Sequence, residues 1–207
     1  MKTFAINDSS VYSRKHVNEF KSEIASYGIS IPEEEWNYFL NITEVKTAKK
    51  KEVIFSHTEL CSHVIYLMSG ITATINSYDD IEVVTRFFQK GNFNTNIVSA
   101  ESRSLASDIL VAITDIEYLL LPFSFFLDSF LNSNTFGLFV RKKIMGMIIE
   151  NKKNTTIKTI NDTEIRCQFL EENYPDIIRN TPSKYIAMYL GVTPEGYSRF
   201  LSSRRKS

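Results

Sequence analysis

The sequence predicts an α+β protein in which a helical N-terminus leads into an antiparallel β-roll, a long helix and two short C-terminal helices. Between Glu52 and Leu121, short segments rich in β-branched and aromatic residues alternate with turn signals, a pattern typical of an antiparallel roll or barrel. Beyond Pro122, apolar residues recur at spacings of three and four, which indicates amphipathic helices. Near the start, an acidic run after Pro32 marks the beginning of a helix.

Length and composition set limits on the architecture. The chain has 207 residues, of which 43% are hydrophobic and 23% charged, as in a globular protein that buries a core without disulfides. The net charge is zero, whereas five basic residues and one glutamate give the segment from Ser183 to Ser207 a charge of +4. We expect a helical start and β-roll over residues 1–131, a long helix and linker over 132–156, and a second domain over 157–207.

The cysteines and the apolar segments exclude several classes of protein. Cys61 and Cys167 are far apart and belong to no Cys-x-x-Cys pair, which argues against a zinc site, an iron–sulfur cluster or a haem attachment. The N-terminus lacks the apolar core of a signal peptide, and the most apolar segment is too short and too interrupted to span a bilayer. We expect a cytoplasmic protein with no membrane partner.

The C-terminal quarter has the pattern of a helix-turn-helix. Ser183 is predicted to cap a first helix, whose inner face carries Ile186 and Leu190 and whose Ala187 leaves room for a crossing helix. Gly191 can adopt the positive φ that ends this helix. A second helix then begins with a threonine cap and a proline at its first position, Thr193-Pro194.

The second helix has an apolar face and a polar face. Tyr197, Phe200 and Leu201 can pack on the first helix, and the opposite face carries the side-chain types that read base edges in DNA. The basic tail Arg204-Arg205-Lys206 suits phosphate contacts, and an ordinary helical hairpin is the alternative interpretation. The predicted DNA-contacting residues are Ser183, Lys184, Thr193, Glu195, Ser198, Arg199, Ser202, Arg204 and Arg205.

The long helix is predicted to begin near Ser133 and to end near Lys153. Its apolar stripe is typical of a core face, and it also suits a seam between two subunits. Because helix-turn-helix proteins normally bind two-fold sites in pairs, we expect a homodimer with this stripe as its interface. The predicted interface residues are Phe136, Val140, Ile144, Met147 and Ile148.

This order of elements resembles the Crp/Fnr superfamily of bacterial transcription factors. The clearest similarity is the run from Tyr185 to Arg199, and the segments Val64 to Gly70 and Lys90 to Phe93 also fit. The resemblance implies a roll like a cyclic-nucleotide-binding domain and base-reading roles for Glu195 and Arg199. Two positions depart from the family pattern, Pro194 and Gly196, and we expect no C-terminal wing, since the sequence stops at Ser207.

The effector site of nucleotide-sensing relatives is degenerate in this chain. The resemblance places a ribose-binding glutamate and a phosphate-binding arginine where this chain has Phe93-Asn94-Thr95-Asn96 and Ala106-Ser107-Asp108. Because burying a phosphate without a cation is costly, we expect that cyclic AMP and cyclic GMP are not the signal. The candidate pocket for another small-molecule effector comprises Phe93, Asn94, Thr95, Asn96, Arg103 and Ser107.

The expected function is that of a sequence-specific, DNA-binding transcription regulator. No nucleophile–base motif and no phosphate-binding glycine loop occurs, so we expect no enzymatic activity and no cofactor. The expected partners are double-stranded DNA and a second copy of the chain, with RNA polymerase and an unidentified small molecule as further candidates. Two alternatives remain open: a ligand-binding roll whose C-terminal helices contact proteins, and a cupin-type metalloprotein using His57, Glu59 and His63.

Overall fold

The computed structural model describes residues 10–204 except positions 80, 107 and 133. Its helices are α1 Ser10–Ser26, α2 Glu33–Ile42, α3 Ile97–Ser102, α4 Phe123–Leu131, α5 Thr135–Lys158, α6 Thr163–Asn173, α7 Pro175–Asn180, α8 Ser183–Leu190 and α9 Pro194–Arg204. Its strands are β1 Glu44–Ala48, β2 Val53–Phe55, β3 His63–Ser69, β4 Ile71–Tyr78, β5 Ile81–Gln89, β6 Phe93–Asn94, β7 Asp108–Ala112 and β8 Ile116–Pro122. This order confirms the predicted α+β architecture.

Two four-stranded antiparallel sheets form the roll, in the orders β1-β8-β3-β6 and β2-β7-β4-β5. Between them lies a core in which Ile65 and Leu67 of β3 meet Leu110 and Phe88 of the second sheet. Strand β3 is buried on both faces, because Tyr66 points away from that core into a layer of helices. This double burial explains why β3 is a continuous apolar run in the sequence rather than an alternating one.

Helices α1, α2, α4 and α5 cover the outer face of the first sheet through an aromatic cluster. Phe20 of α1 lies 5.2 Å from Phe39 of α2 and 4.6 Å from Tyr66 of β3, measured between ring centroids. Such aromatic pairs contribute about 0.5–1.5 kcal/mol beyond the area they bury. Lys143 and Glu23 then join α5 to α1 by an ion pair of 2.9 Å whose side chains are only 12% and 24% exposed.

The face of α5 that packs on this cluster is the face predicted to be a subunit seam. Phe136 and Val140 are 1% and 0% exposed, and Ile144 and Met147 pack against the same core. For Phe136 and Val140 the predicted role is therefore wrong, because their own chain already covers them. Within the predicted seam, Ile148 is the member that remains largely exposed, at 57%.

Helix α5 also extends beyond its predicted end. The end of the segment predicted to hold a helix and a linker is helical as well, and the helix continues to Lys158 although asparagine and threonine are weak helix formers. Tertiary contact supplies the reason, since Lys158 Nζ donates a hydrogen bond of 2.8 Å to the carbonyl of Thr85. Asp162 then caps α6 by accepting hydrogen bonds from the backbone of Glu164 and Ile165.

Candidate nucleic-acid interface

Helix α8 and its turn follow the predicted helix-turn-helix closely. Ile186, Ala187 and Leu190 are 1%, 0% and 3% exposed, and Gly191 ends the helix with a φ of 65°. The backbone N–H groups of Gly191 and of the following residue donate to the carbonyl of Ala187, which satisfies a free C-terminal carbonyl. Ser183 differs from the prediction, since it is the first helical residue and Pro182 takes the cap position without a side-chain hydrogen bond.

Helix α9 is held in place by its cap and by one buried ring. Thr193 Oγ1 accepts a hydrogen bond of 3.0 Å from the backbone of Gly196, which confirms the predicted threonine cap. Tyr197 is 3% exposed, and burial raises the pKa of its hydroxyl to about 12. Phe200 stacks beside Tyr197 with 6.3 Å between ring centroids, so the apolar face of α9 lies against the protein.

The opposite face of α9 is open to solvent. Where the structure describes their side chains, the predicted DNA-contacting residues are exposed: Ser183, Lys184, Thr193, Glu195, Ser198, Arg199 and Ser202. Ser202 donates its hydroxyl hydrogen to the carbonyl of Ser198 at 2.9 Å, so its oxygen remains available as an acceptor. Helix α9 ends at Arg204, whose side chain lies outside the described residues, as do Arg205 and Lys206.

Arg166 of α6 positions the turn, a role that is not among the sequence predictions. Its Nη1 donates a hydrogen bond of 2.6 Å to the carbonyl of Leu190, the last residue of α8, and its Nη2 lies 3.2 Å from Thr163 Oγ1. A charged donor at a helix C-terminus satisfies a free carbonyl and opposes the negative end of the helix dipole. Because this hydrogen bond joins residues 24 apart in the sequence, no local sequence pattern predicts it.

The helix-turn-helix also packs directly on the roll. Tyr189 of α8 lies 5.2 Å from Phe87 of β5 between ring centroids, within one core that contains residues of the roll and of the C-terminal helices. The ammonium group of Lys158 lies 3.9 Å from the centroid of the Tyr189 ring, and burial lowers its pKa to about 8. At the start of α8, Lys184 Nζ lies 3.6 Å from a carboxylate oxygen of Glu82 on β5.

The predicted effector pocket is almost filled. Asn94, Thr95 and Asn96 line a cavity of about 10 Å³, whereas Phe93 is buried in the aromatic core, Arg103 is exposed at the end of α3, and Ser107 lies outside the described residues. A cavity of this size holds about one water molecule.

Hydrogen bonds inside this pocket explain its closure. Asn96 caps α3 by accepting from the backbone of Ser99, and its amide donates to the carboxylate of Asp108. Thr95 donates to the carbonyl of His63, and Asn94 Nδ2 is buried with no hydrogen-bond partner among the described residues. Burial raises the pKa of Asp108. The pocket thus presents an acid, and the side-chain amide of Asn96 is used within the protein.

Two further sequence hypotheses concern metals and membranes. Within the described part of the chain, no group of three His, Cys, Asp or Glu side chains is placed to hold a metal ion. His57 and Glu59 are exposed, and His63 Nδ1 lies 2.9 Å from Ser62 Oγ. None of the helices in that part is both long and apolar enough to cross a membrane.

Comparison with solved structures places the fold. A variant of CooA from Carboxydothermus hydrogenoformans matches with a TM-score of 0.62 at 17% identity, covering 81% of this chain and 78% of that one. A transcriptional regulator assigned to the Crp/Fnr family from Eubacterium rectale matches with a TM-score of 0.63 at 14% identity, covering 84% of each chain. A cyclic nucleotide-binding domain containing protein from Listeria monocytogenes matches with a TM-score of 0.63 at 13% identity, covering 91% of this chain and 89% of that one.

The fold is therefore that of Crp/Fnr-type regulators, as the sequence predicted. No protein-family model matches the chain, and no curated protein matches it in sequence.

The role of Arg166 leads to a stability prediction. Changing Arg166 to Met keeps the aliphatic stem and removes the donor to Leu190, and we expect a loss of about 1.5–3 kcal/mol in unfolding free energy, measured by urea denaturation. Arg179→Met is the matched control, because the Arg179 side chain is 73% exposed and pairs with Asp176 across one turn at 3.4 Å. We expect the control to change stability by less than about 0.5 kcal/mol. Equal effects of the two changes would contradict the positioning role.

Proposed function

We propose that this chain, with the fold of the Crp/Fnr-type regulators, is a sequence-specific DNA-binding transcription regulator that acts as a homodimer and not as an enzyme. The observation that carries the proposal is the exposed polar face of α9, set against a capped turn and a buried Tyr197. A helix held in this way can enter the major groove while its other face stays packed.

Two side chains on that face are suited to read bases. Arg199 can donate two hydrogen bonds to the O6 and N7 atoms of guanine, and Glu195 can accept one from the N4 group of cytosine. Lys184 is exposed at the first turn of α8, and a lysine there suits a phosphate contact that fixes register without reading sequence. The neutral charge of the whole chain makes such local contacts necessary for binding.

The direct test replaces Arg199 by Ala. A preferred site is first selected from random duplex DNA with the wild-type protein, and affinity is then measured by fluorescence anisotropy. We expect affinity for that site to fall about 5- to 150-fold and preference to relax at one base pair, because a bidentate contact is worth about 1–3 kcal/mol. Arg179→Ala, an exposed arginine on α7, is the control and should leave affinity unchanged. Unchanged affinity and preference in the Arg199 variant would reject the reading role.

The competing function is a ligand-binding roll whose C-terminal helices contact proteins. Salt dependence separates the two functions, since phosphate contacts release counterions and make the logarithm of affinity fall linearly with the logarithm of salt concentration. The proposed function requires such a slope with duplex DNA.

A second face of α5 supports the homodimer. Leu138, Met145, Ile148 and Ile149 are 49%, 59%, 57% and 55% exposed, although each is a large apolar side chain. The spacing from Leu138 to Met145 is seven residues and from Met145 to Ile149 four, which is the spacing of a coiled-coil seam. Two copies of one such face form a self-complementary two-fold interface, and this would bring two helix-turn-helix units together.

Aspartate at Met145 or Ile149 tests this interface. We expect sedimentation velocity to show dissociation to folded monomers, because the change buries an unpaired charge in the dimer while the position is exposed in the single chain. Ile165→Asp is the matched control, since Ile165 is 47% exposed on α6 and lies outside the seam. Variants that stay dimeric would place the interface elsewhere, and a monomeric wild-type protein would reject the homodimer.

The proposal includes independence from cyclic nucleotides. The carboxylate of Asp108 lines the pocket and would repel a phosphate, and the cavity of about 10 Å³ leaves no room for a nucleotide. We expect calorimetric titration with cyclic AMP and with cyclic GMP to show no binding up to millimolar concentration. Micromolar binding that is abolished by Arg103→Ala would contradict this, because it would require the pocket to open and Arg103 to supply the missing cation.

A further inference from the structure

Strand β5 is the element on which the helix-turn-helix meets the roll. It is the edge strand of the second sheet, and its outer face contributes Val84 and Phe87 to the core that it shares with α8. Next to them, Ile71 and Ala73 of β4 belong to the same shared core. The apolar outer face of this sheet thus packs against the C-terminal helices α6 to α9, and α8 lies against β5.

An ion pair lies at one end of the contact between β5 and α8. Glu82 lies two residues before Val84, so the two side chains share the face of β5 that α8 covers. Lys184 Nζ approaches Glu82 Oε2 to 3.6 Å at the point where α8 begins. The side chains of Lys184 and Glu82 are 63% and 54% exposed, so the pair is open to water and exchanges readily with other ions.

The position of Lys184 connects this ion pair with DNA binding. If the helix-turn-helix binds DNA as proposed above, the ammonium group at the start of α8 is a phosphate contact. The carboxylate of Glu82, whose Oε2 lies 3.6 Å from Lys184 Nζ, has the same sign of charge as a phosphate and interacts with the same ammonium group. Lys184 has three N–H donors but one positive charge, so a carboxylate beside it offsets part of the attraction that the ammonium group offers to a phosphate.

We propose that Glu82 is an internal competitor of the DNA phosphate for Lys184, so that the β4–β5 hairpin weakens DNA binding while α8 is docked on the roll. The inference rests on the proposed DNA-binding function. It adds a regulatory contact: any event that moves the hairpin away from α8 frees one cation for DNA and raises affinity for all sequences alike. Arg199 is not involved, so the base preference stays the same.

The test is a charge-neutral substitution combined with a double-mutant cycle. Glu82→Gln removes the charge and keeps the shape, and Glu44→Gln is the control, because Glu44 is an exposed carboxylate paired with Lys46 at 3.2 Å on β1. The cycle is completed by Lys184→Gln and by the double variant. Affinity for duplex DNA of the selected site and of a scrambled sequence is measured by fluorescence anisotropy at low and high salt.

We expect Glu82→Gln to bind both duplexes about two- to fivefold more tightly than wild type at low salt, the size of effect that a solvent-exposed ion pair supplies. The gain should disappear in the Lys184→Gln background and shrink at high salt, since exposed charges are screened. Glu44→Gln should bind like wild type.

Two results would overturn the inference while leaving the proposed function intact. One is an affinity of Glu82→Gln equal to that of wild type. The other is an equal gain in the Lys184→Gln background, because this would mean that Glu82 acts by general repulsion and not through Lys184. A wild-type protein that binds neither duplex would instead reject the DNA-binding function together with this inference.

Discussion

The burial of the outer face of the second sheet by the helix-turn-helix is the constraint on which the rest of the structure depends. An antiparallel sheet can leave one face in water when that face is polar, but here β4 and β5 present Ala73, Val84 and Phe87 outward. Covering them requires a second layer, and α8 supplies it through Tyr189 and its neighbours. The orientation of α9 follows, because α9 packs on α8.

Strand β5 connects this layer to the long helix as well. Arg86 donates to the carbonyl of Met147 at 3.4 Å and lies 3.7 Å from a carboxylate oxygen of Glu150, both on α5. One residue earlier, the carbonyl of Thr85 accepts from Lys158 at the end of α5. The proposed reading helix α9 packs on α8, which contacts β5, and the proposed dimer helix α5 contacts β5 directly. A shift of β5 would therefore displace both helices.

Cations at this junction lie over aromatic rings. Arg86 lies 4.9 Å from the centroid of Phe88, and Lys158 lies 3.9 Å from that of Tyr189. The ring faces attract positive charge, whereas burial disfavours it and lowers the pKa of both side chains. The predicted effector pocket, in which the amide of Asn96 donates to the carboxylate of Asp108, is lined by Thr74 and Leu110 of the same sheet.

The sequence by itself determined those features whose signals are local. The capped turn at Thr193, the positive φ at Gly191 and the two faces of α9 each depend on residues within one or two helical turns, and the structure contains them. The tertiary structure alone decided which side of α5 faces its own core, because that helix is apolar on two sides and periodicity cannot tell Phe136 from Met145. It also decided the contacts of Arg166 and Glu82, which join groups 24 or more residues apart, since only the packing of whole elements brings such groups together.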